Sequence, residues 1–144
     1  MIYNSWSAAE TENIACSFAR SLKGGEIITL DGDLGAGKTA FVRGLAKGLG
    51  ISDRVSSPTF TIVNEYRNGA IPLLHFDIYR LESSDDLYDI GWEDYISQGA
   101  VVVVEWASIM PDAFNSECIF VTITKNMEKS EDYRQISIEG ADSL

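Results

Sequence analysis

The run Gly32-Asp33-Leu34-Gly35-Ala36-Gly37-Lys38-Thr39 constrains this chain more than any other stretch. It meets the pattern Gly-x-x-x-x-Gly-Lys-[Ser/Thr] at every fixed position. The spacing has a chemical reason. Glycines let the backbone curl so that successive N–H groups point inward at an anion. The lysine adds a point charge toward β and γ phosphates, and the hydroxyl after it is a ligand for Mg²⁺. A helix starting there directs the positive end of its dipole at the same anions. The context fits. Glu26-Ile27-Ile28-Thr29-Leu30 is a short β-prone run before the loop, and Phe41, Val42, Leu45, Ala46 and Leu49 recur at helical spacing until Gly50. The competing reading, an ordinary glycine-rich turn before a helix, rarely ends in Lys-Thr. The pattern therefore implies a nucleoside triphosphate site.

Upstream, Ser7-Ala8-Ala9-Glu10 has the form of a capping box, and Thr11, Ile14, Ala15, Phe18, Ala19 and Leu22 form one helical face that Gly24-Gly25 ends. Downstream, Ser56, Ser57 and Pro58 mark a loop. Phe60 to Tyr66 then reads as a strand, Asn68-Gly69 as a hairpin turn, and Leu73 to Tyr79 as the return strand with Pro72 at its start. This puts Thr59 at the mouth of the hairpin and Asp77 near the far end of its partner strand. Ser83 or Ser84 caps a short helix closed by Gly91, and a second helical stripe runs from Trp92 to Gly99. Val101 to Val104 followed by Glu105 fits a parallel strand buried on both faces, with a carboxylate at its C-terminal end. Ligands of open α/β sheets bind beyond such ends. Residues 107–116 read as loop, and Cys118 to Thr124 with Tyr133 to Ile138 as a closing strand pair.

Composition bounds the rest. The 144 residues suffice for one domain, 1–144, with a frayed tail over 140–144, and the hydrophobic content of 45% is ordinary. No apolar run is long enough to span a bilayer, and Met1 to Ser5 lacks the basic start and apolar core of a secretory signal. Cys16 and Cys118 sit singly in apolar patterns, which predicts buried free thiols and cytoplasmic residence. The net charge of −11, with no Lys/Arg cluster, excludes an unassisted grip on DNA or RNA and favours a basic protein partner.

A nucleotide hydrolase also needs a carboxylate on an apolar strand to hold magnesium, directly or through water. Two residues compete for that place. Val101 to Glu105 is the purer strand, so Glu105 is read as the metal residue and Asp77 as the one that positions or activates water. The plainer alternative for Asp77 is pairing with Arg80 or capping a loop. His75, the only histidine, cannot build a His-rich metal site and reads as a hydrogen-bonded structural residue. Trp106 directly follows Glu105, so alternation points it to the opposite side, as core packing, as a lid over the nucleotide or as a partner contact.

Four ordered motifs, Asp31 to Thr39, Ser57-Pro58-Thr59-Phe60, His75 to Leu81, and Gly91 with Glu105-Trp106, resemble those of the TsaE (YjeE) family, over nearly the full chain. That resemblance implies an α/β P-loop NTPase fold, a central parallel sheet flanked by antiparallel strands with helices on both faces. It implies an ATPase that is weak alone and works with TsaD and TsaB in forming the threonylcarbamoyl modification of adenosine in tRNAs reading codons that begin with adenine. The tRNA would be met only through that complex, with no membrane or DNA involved. By position, the resemblance assigns the phosphates to Gly35, Ala36, Gly37, Lys38, Thr39 and Ala40, and magnesium to Thr39 and Glu105. It puts Thr59 in a switch-like loop, makes Asp77 the functional aspartate and Trp106 the signature tryptophan, and points Thr11 and Arg134 toward the nucleotide. One departure is Ala107, where the family usually has proline.

Three rival readings stand beside this one. A small-molecule kinase usually has several arginines in a lid, whereas here they are scattered singly. A GTPase would carry Asn-Lys-x-Asp for guanine, which is absent. A nucleotide-dependent binding module without turnover is the third, because a phosphate loop alone guarantees only binding.

Overall fold

The computed structural model describes residues 1–33, 35–58, 61–115 and 117–140. Seven strands form one sheet: β1 (Ile2–Ser5), β2 (Ile27–Gly32), β3 (Val63–Tyr66), β4 (Leu73–Asp77), β5 (Val101–Glu105), β6 (Ile119–Lys125) and β7 (Arg134–Glu139). Their spatial order is β1-β7-β6-β2-β5-β4-β3. The neighbours β6, β2, β5 and β4 pair in parallel, while β1 with β7, β7 with β6, and β3 with β4 pair antiparallel. A parallel centre with antiparallel flanks is the architecture the motifs imply.

Helices α1 (Ala8–Ala19) and α2 (Lys38–Gly48) cover one face, and the short α3 (Ser84–Asp89) and α4 (Trp92–Ile96) belong to the other. Strand β5 shows why its four valines are needed. Val101 and Val103 join the core under α1 and α2, whereas Val102 and Val104 join the one under α3 and α4. A strand buried on both faces cannot alternate in polarity. Helix α1 begins as expected, with the Ser7 hydroxyl accepting from the Glu10 amide, a cap of about 1 kcal/mol. Its closeness to α2 rests on Gly44 and Gly48. A methyl group at either would lie 2.3 Å from the Glu12 carbonyl or 2.5 Å from that of Cys16.

Several boundaries differ from the sequence expectation. Strand β3 starts at Val63, not Phe60, because the chain turns at Pro58, whose carbonyl accepts from the Thr61 and Ile62 amides. Phe60 itself lies outside the described residues, as do Leu34, Ser116 and residues 141–144 of the expected tail. Strand β4 stops at Asp77, two residues short of Tyr79. Asn68-Gly69 lies within the hairpin connection, but Gly69 does not take the positive φ of a tight turn. It is needed where a side chain would meet the Leu49 carbonyl at 2.7 Å. Strand β1 was not foreseen at all. The stretch 107–116 contains two 3₁₀ turns, Ala107–Ile109 and Pro111–Ala113. Ala107 opens the first of these, directly after Trp106 at φ 67°, a backbone conformation that a proline at 107 would disfavour.

Candidate nucleotide-binding site

Strand β2 delivers the chain into the glycine-rich loop, and Gly37 turns it into α2 with φ 101°. A residue with a side chain would adopt that left-handed backbone at a cost of about 1–2 kcal/mol. The loop lies at the C-terminal ends of β2, β4 and β5, where they bring their last residues together. Asp77 and Glu105 are register partners on neighbouring parallel strands. A cavity of about 410 Å³ opens there, lined by Gly35, Gly37, Lys38, Thr39 and Ala40 of the loop and helix together with Ser57, Asp77, Glu105 and Trp106. That volume is in the range of small-molecule sites.

Lys38 is the hub. Its Nζ lies 3.6 Å from Glu105 Oε1 and 4.6 Å from the centre of the Trp106 ring. This corrects the expectation that Trp106 points away from Glu105. The strand ends at Glu105, and Trp106 takes a φ of 67°, which swings the indole onto the same ammonium. A non-glycine residue at positive φ is uncommon and tends to occur where geometry serves a site. Tyr79, largely exposed, stacks at a tilt on the indole at 4.9 Å.

Glu105 is buried, and its second oxygen, Oε2, lies 2.6 Å from His75 Nε2. Burial alone would raise its pKa. The hydrogen bond from His75 and the ammonium of Lys38 outweigh that, and the pKa is lowered, so the carboxylate stays ionised. The sequence marked His75 as hydrogen-bonded but did not supply the partner, which is 30 residues away. Asp77, also buried, accepts from the Tyr79 amide through Oδ1 at 3.0 Å, so it does cap its own loop while lining the cavity. Its amide donates to the Ile62 carbonyl at 2.8 Å, tying Asp77 to the segment that follows Thr59. Thr59 lies outside the described residues.

Thr11 is buried, 2.8 Å from the Ser5 hydroxyl, in the lining of a small recess of about 100 Å³ that also meets Gly37, Ala40 and Arg134. Arg134 braces the loop and also lines the larger cavity. Its Nε donates to the Ala36 carbonyl at 2.9 Å and its Nη2 to that of Gly35 at 3.2 Å, while Nη1 donates to the Glu131 and Tyr133 carbonyls. It therefore fixes the loop's shape whatever else it contacts. On the other side of Lys38 lies a carboxylate the sequence had singled out only as part of a motif. Asp31 lines a second recess of about 290 Å³ with Trp106, Ser108 and Thr122.

The donor set suits a hard, oxygen-seeking cation, with a Thr39 hydroxyl and two carboxylates facing one polar cavity. Among the described residues no group of three or more His, Cys, Asp or Glu forms a cage for a metal. Magnesium commonly needs none, because it is held by one or two protein oxygens plus phosphates and water. Cys16 and Cys118 are free and buried, and among the described residues no helix is long and apolar enough to cross a membrane.

The strand–loop–helix unit at the end of a parallel sheet, with its lysine and facing carboxylates, defines a P-loop nucleotide-binding protein. Comparison with known proteins carries this further. Residues 5–136 match the family model of the threonylcarbamoyl adenosine biosynthesis protein TsaE, and the chain belongs to that family. It is 43% identical over 128 residues to the tRNA threonylcarbamoyladenosine biosynthesis protein TsaE of Bacillus subtilis (89% of this chain, 78% of that protein). To the protein of the same name from Nostoc sp. it is 46% identical over 104 residues, 70% of this chain and 64% of that protein. The crystal structure of Bacillus subtilis YdiB superposes with a TM-score of 0.80 at 36% identity, covering 96% of this chain and 83% of that one.

Proposed function

We propose that this protein is a cytoplasmic, magnesium-dependent ATPase of tRNA threonylcarbamoyladenosine formation, weak alone and activated in complex with TsaD and TsaB. The observation that carries the reading is the convergence on Lys38. One ammonium touches Glu105 and Trp106 in a cavity that Thr39 and Asp77 also line. An incoming triphosphate offers that cation stronger partners than either.

In this reading the amides of Gly35 to Ala40 cradle the phosphates and Lys38 faces the β and γ groups. Thr39 and Glu105 hold magnesium, which neutralises phosphate charge when bound. Asp77 orients the attacking water, and Thr59 has the role of sensing the γ phosphate. Thr11 and Arg134 border the nucleotide on the side of α1, and Trp106 with Tyr79 offers an aromatic surface to a partner. The absence of Asn-Lys-x-Asp favours adenine over guanine. The −11 charge means that tRNA is met only through the partner proteins.

The test is phosphate release from ATP by the chain alone and with TsaD and TsaB. Release that rises only in the complex supports the reading. Transfer of phosphate to a small molecule would replace it with a kinase. Asp77→Asn should leave ATP bound and lower turnover by about 100-fold. If it changes only thermal stability, Asp77 is a loop cap and nothing more.

A further inference from the structure

The mechanism above does not use His75, yet this residue is wholly buried in β4, as the register partner of Val103 and on the same face of the strand as Leu73. An imidazole is a costly core filler. Taking its polar atoms out of water is unfavourable unless they are hydrogen-bonded, and an apolar residue of similar volume packs without that cost. Its one polar contact among the described residues is Glu105. Nε2 lies 2.6 Å from Oε2, while Nδ1 is buried with no partner. A carboxylate oxygen accepts, so Nε2 is the donor. His75 therefore ends the polar chain and relays nothing further.

We infer that His75 is a positioning residue. It pins Glu105 Oε2 against β4, so that Oε1 alone faces the nucleotide cavity as a single metal-binding oxygen. The sheet register makes this possible. His75 lies two residues before Asp77 on the same face of β4, and Asp77 is the register partner of Glu105. One strand thus carries both the cavity's aspartate and the donor that aims its glutamate. Oε1 is already 3.6 Å from Lys38 Nζ. With Oε2 released, the carboxylate is free to rotate about its last bonds, and the aimed metal-binding oxygen is lost while Lys38 still meets the phosphates. Donors behind a metal ligand commonly matter in this way, at 10–100-fold in metal affinity.

The inference rests on Glu105 being the magnesium residue, and the experiment separates the two. ADP binding is measured by calorimetry with and without Mg²⁺ for wild type, Glu105→Gln, His75→Leu and His75→Gln, alongside thermal melts. His75→Leu should keep metal-free affinity near wild type while the enhancement by Mg²⁺ falls about tenfold. His75→Gln, whose amide reaches about as far as Nε2, should recover most of it. A His75→Leu protein that melts lower but keeps the full enhancement overturns the inference, because the histidine is then only packing. If Glu105→Gln keeps the enhancement, the metal assignment fails and the inference falls with it. Should His75→Leu not fold, His75→Gln against the shorter His75→Asn makes the same contrast, and equal enhancement in the two overturns the proposal.

Discussion

Glu105 and Asp31 lie at the ends of adjacent parallel strands on either side of Lys38, and their carboxyls behave oppositely. Burial pushes both toward the neutral form. For Glu105, the His75 hydrogen bond and the Lys38 ammonium at 3.6 Å reverse that push, and its pKa is lowered. For Asp31, burial wins over hydrogen bonds from Ser108 and the attraction of Lys38, and its pKa is raised. Depth in the sheet does not decide the charge state; the donors that reach the carboxylate do. The side furnished to keep an anion is the side where Thr39 and Asp77 converge. The Asp31 side shares Lys38 and Trp106 but adds a second carboxylate, Asp33, with the hydroxyls of Ser108, Thr122 and Thr124.

Removing the shared cation has the largest expected effect. Lys38→Ala should weaken ATP binding in Mg²⁺ by about 100-fold or more, in line with losing one partner of a buried charge interaction. Calorimetry reads this directly, and retained affinity would mean that phosphates do not meet Lys38.

Glu105→Gln sharpens the comparison on its strong side. The Mg²⁺ needed for half-maximal hydrolysis should rise about tenfold. A lowered folded-state pKa adds stability that is present above the ordinary value of 4.5 and lost as pH falls through the folded value. The variant should therefore show a flatter acid limb below that pH in urea melts. An unchanged limb would break the comparison.

Asp31→Asn is the smallest effect and has the opposite sign. Its raised folded-state pKa favours the fold below the ordinary value of 3.8 and costs stability once pH rises through the folded value. The variant should melt higher than wild type at neutral pH, with the gain vanishing below about pH 3.8. A lower melting temperature at neutral pH would show that the Ser108 hydrogen bonds outweigh burial after all.

Much of the fold was legible because it is written locally. The glycine loop, the valine run of β5 and the Ser7 cap each follow from a few neighbouring residues. What escaped is long-range or backbone-driven. The stretch Ile2–Ser5 carries too few residues to show a period, and only its pairing with β7 makes it a strand. The His75–Glu105 contact depends on β4 lying next to β5. Two polar residues inside otherwise apolar strands were the available hint, because buried polar groups seek each other. Trp106 was misplaced because alternation assumes that the strand continues, and the positive φ ends it. Arg134 lines the cavity, as its assignment to the nucleotide expects, but its bracing of the loop was not legible, because those carbonyls come from nearly a hundred residues upstream.

The most direct test asks which side of Lys38 receives the phosphates. Backbone amide NMR of the ¹⁵N-labelled protein, titrated with ATP in Mg²⁺, answers it residue by residue. The account predicts that the amides of Gly35 to Ala40 shift most, downfield as they donate to phosphate oxygens, with smaller changes at Asp77 and Glu105. Largest shifts at Asp31, Ser108 and Thr122, with the amides of Gly35 to Ala40 unmoved, would contradict it.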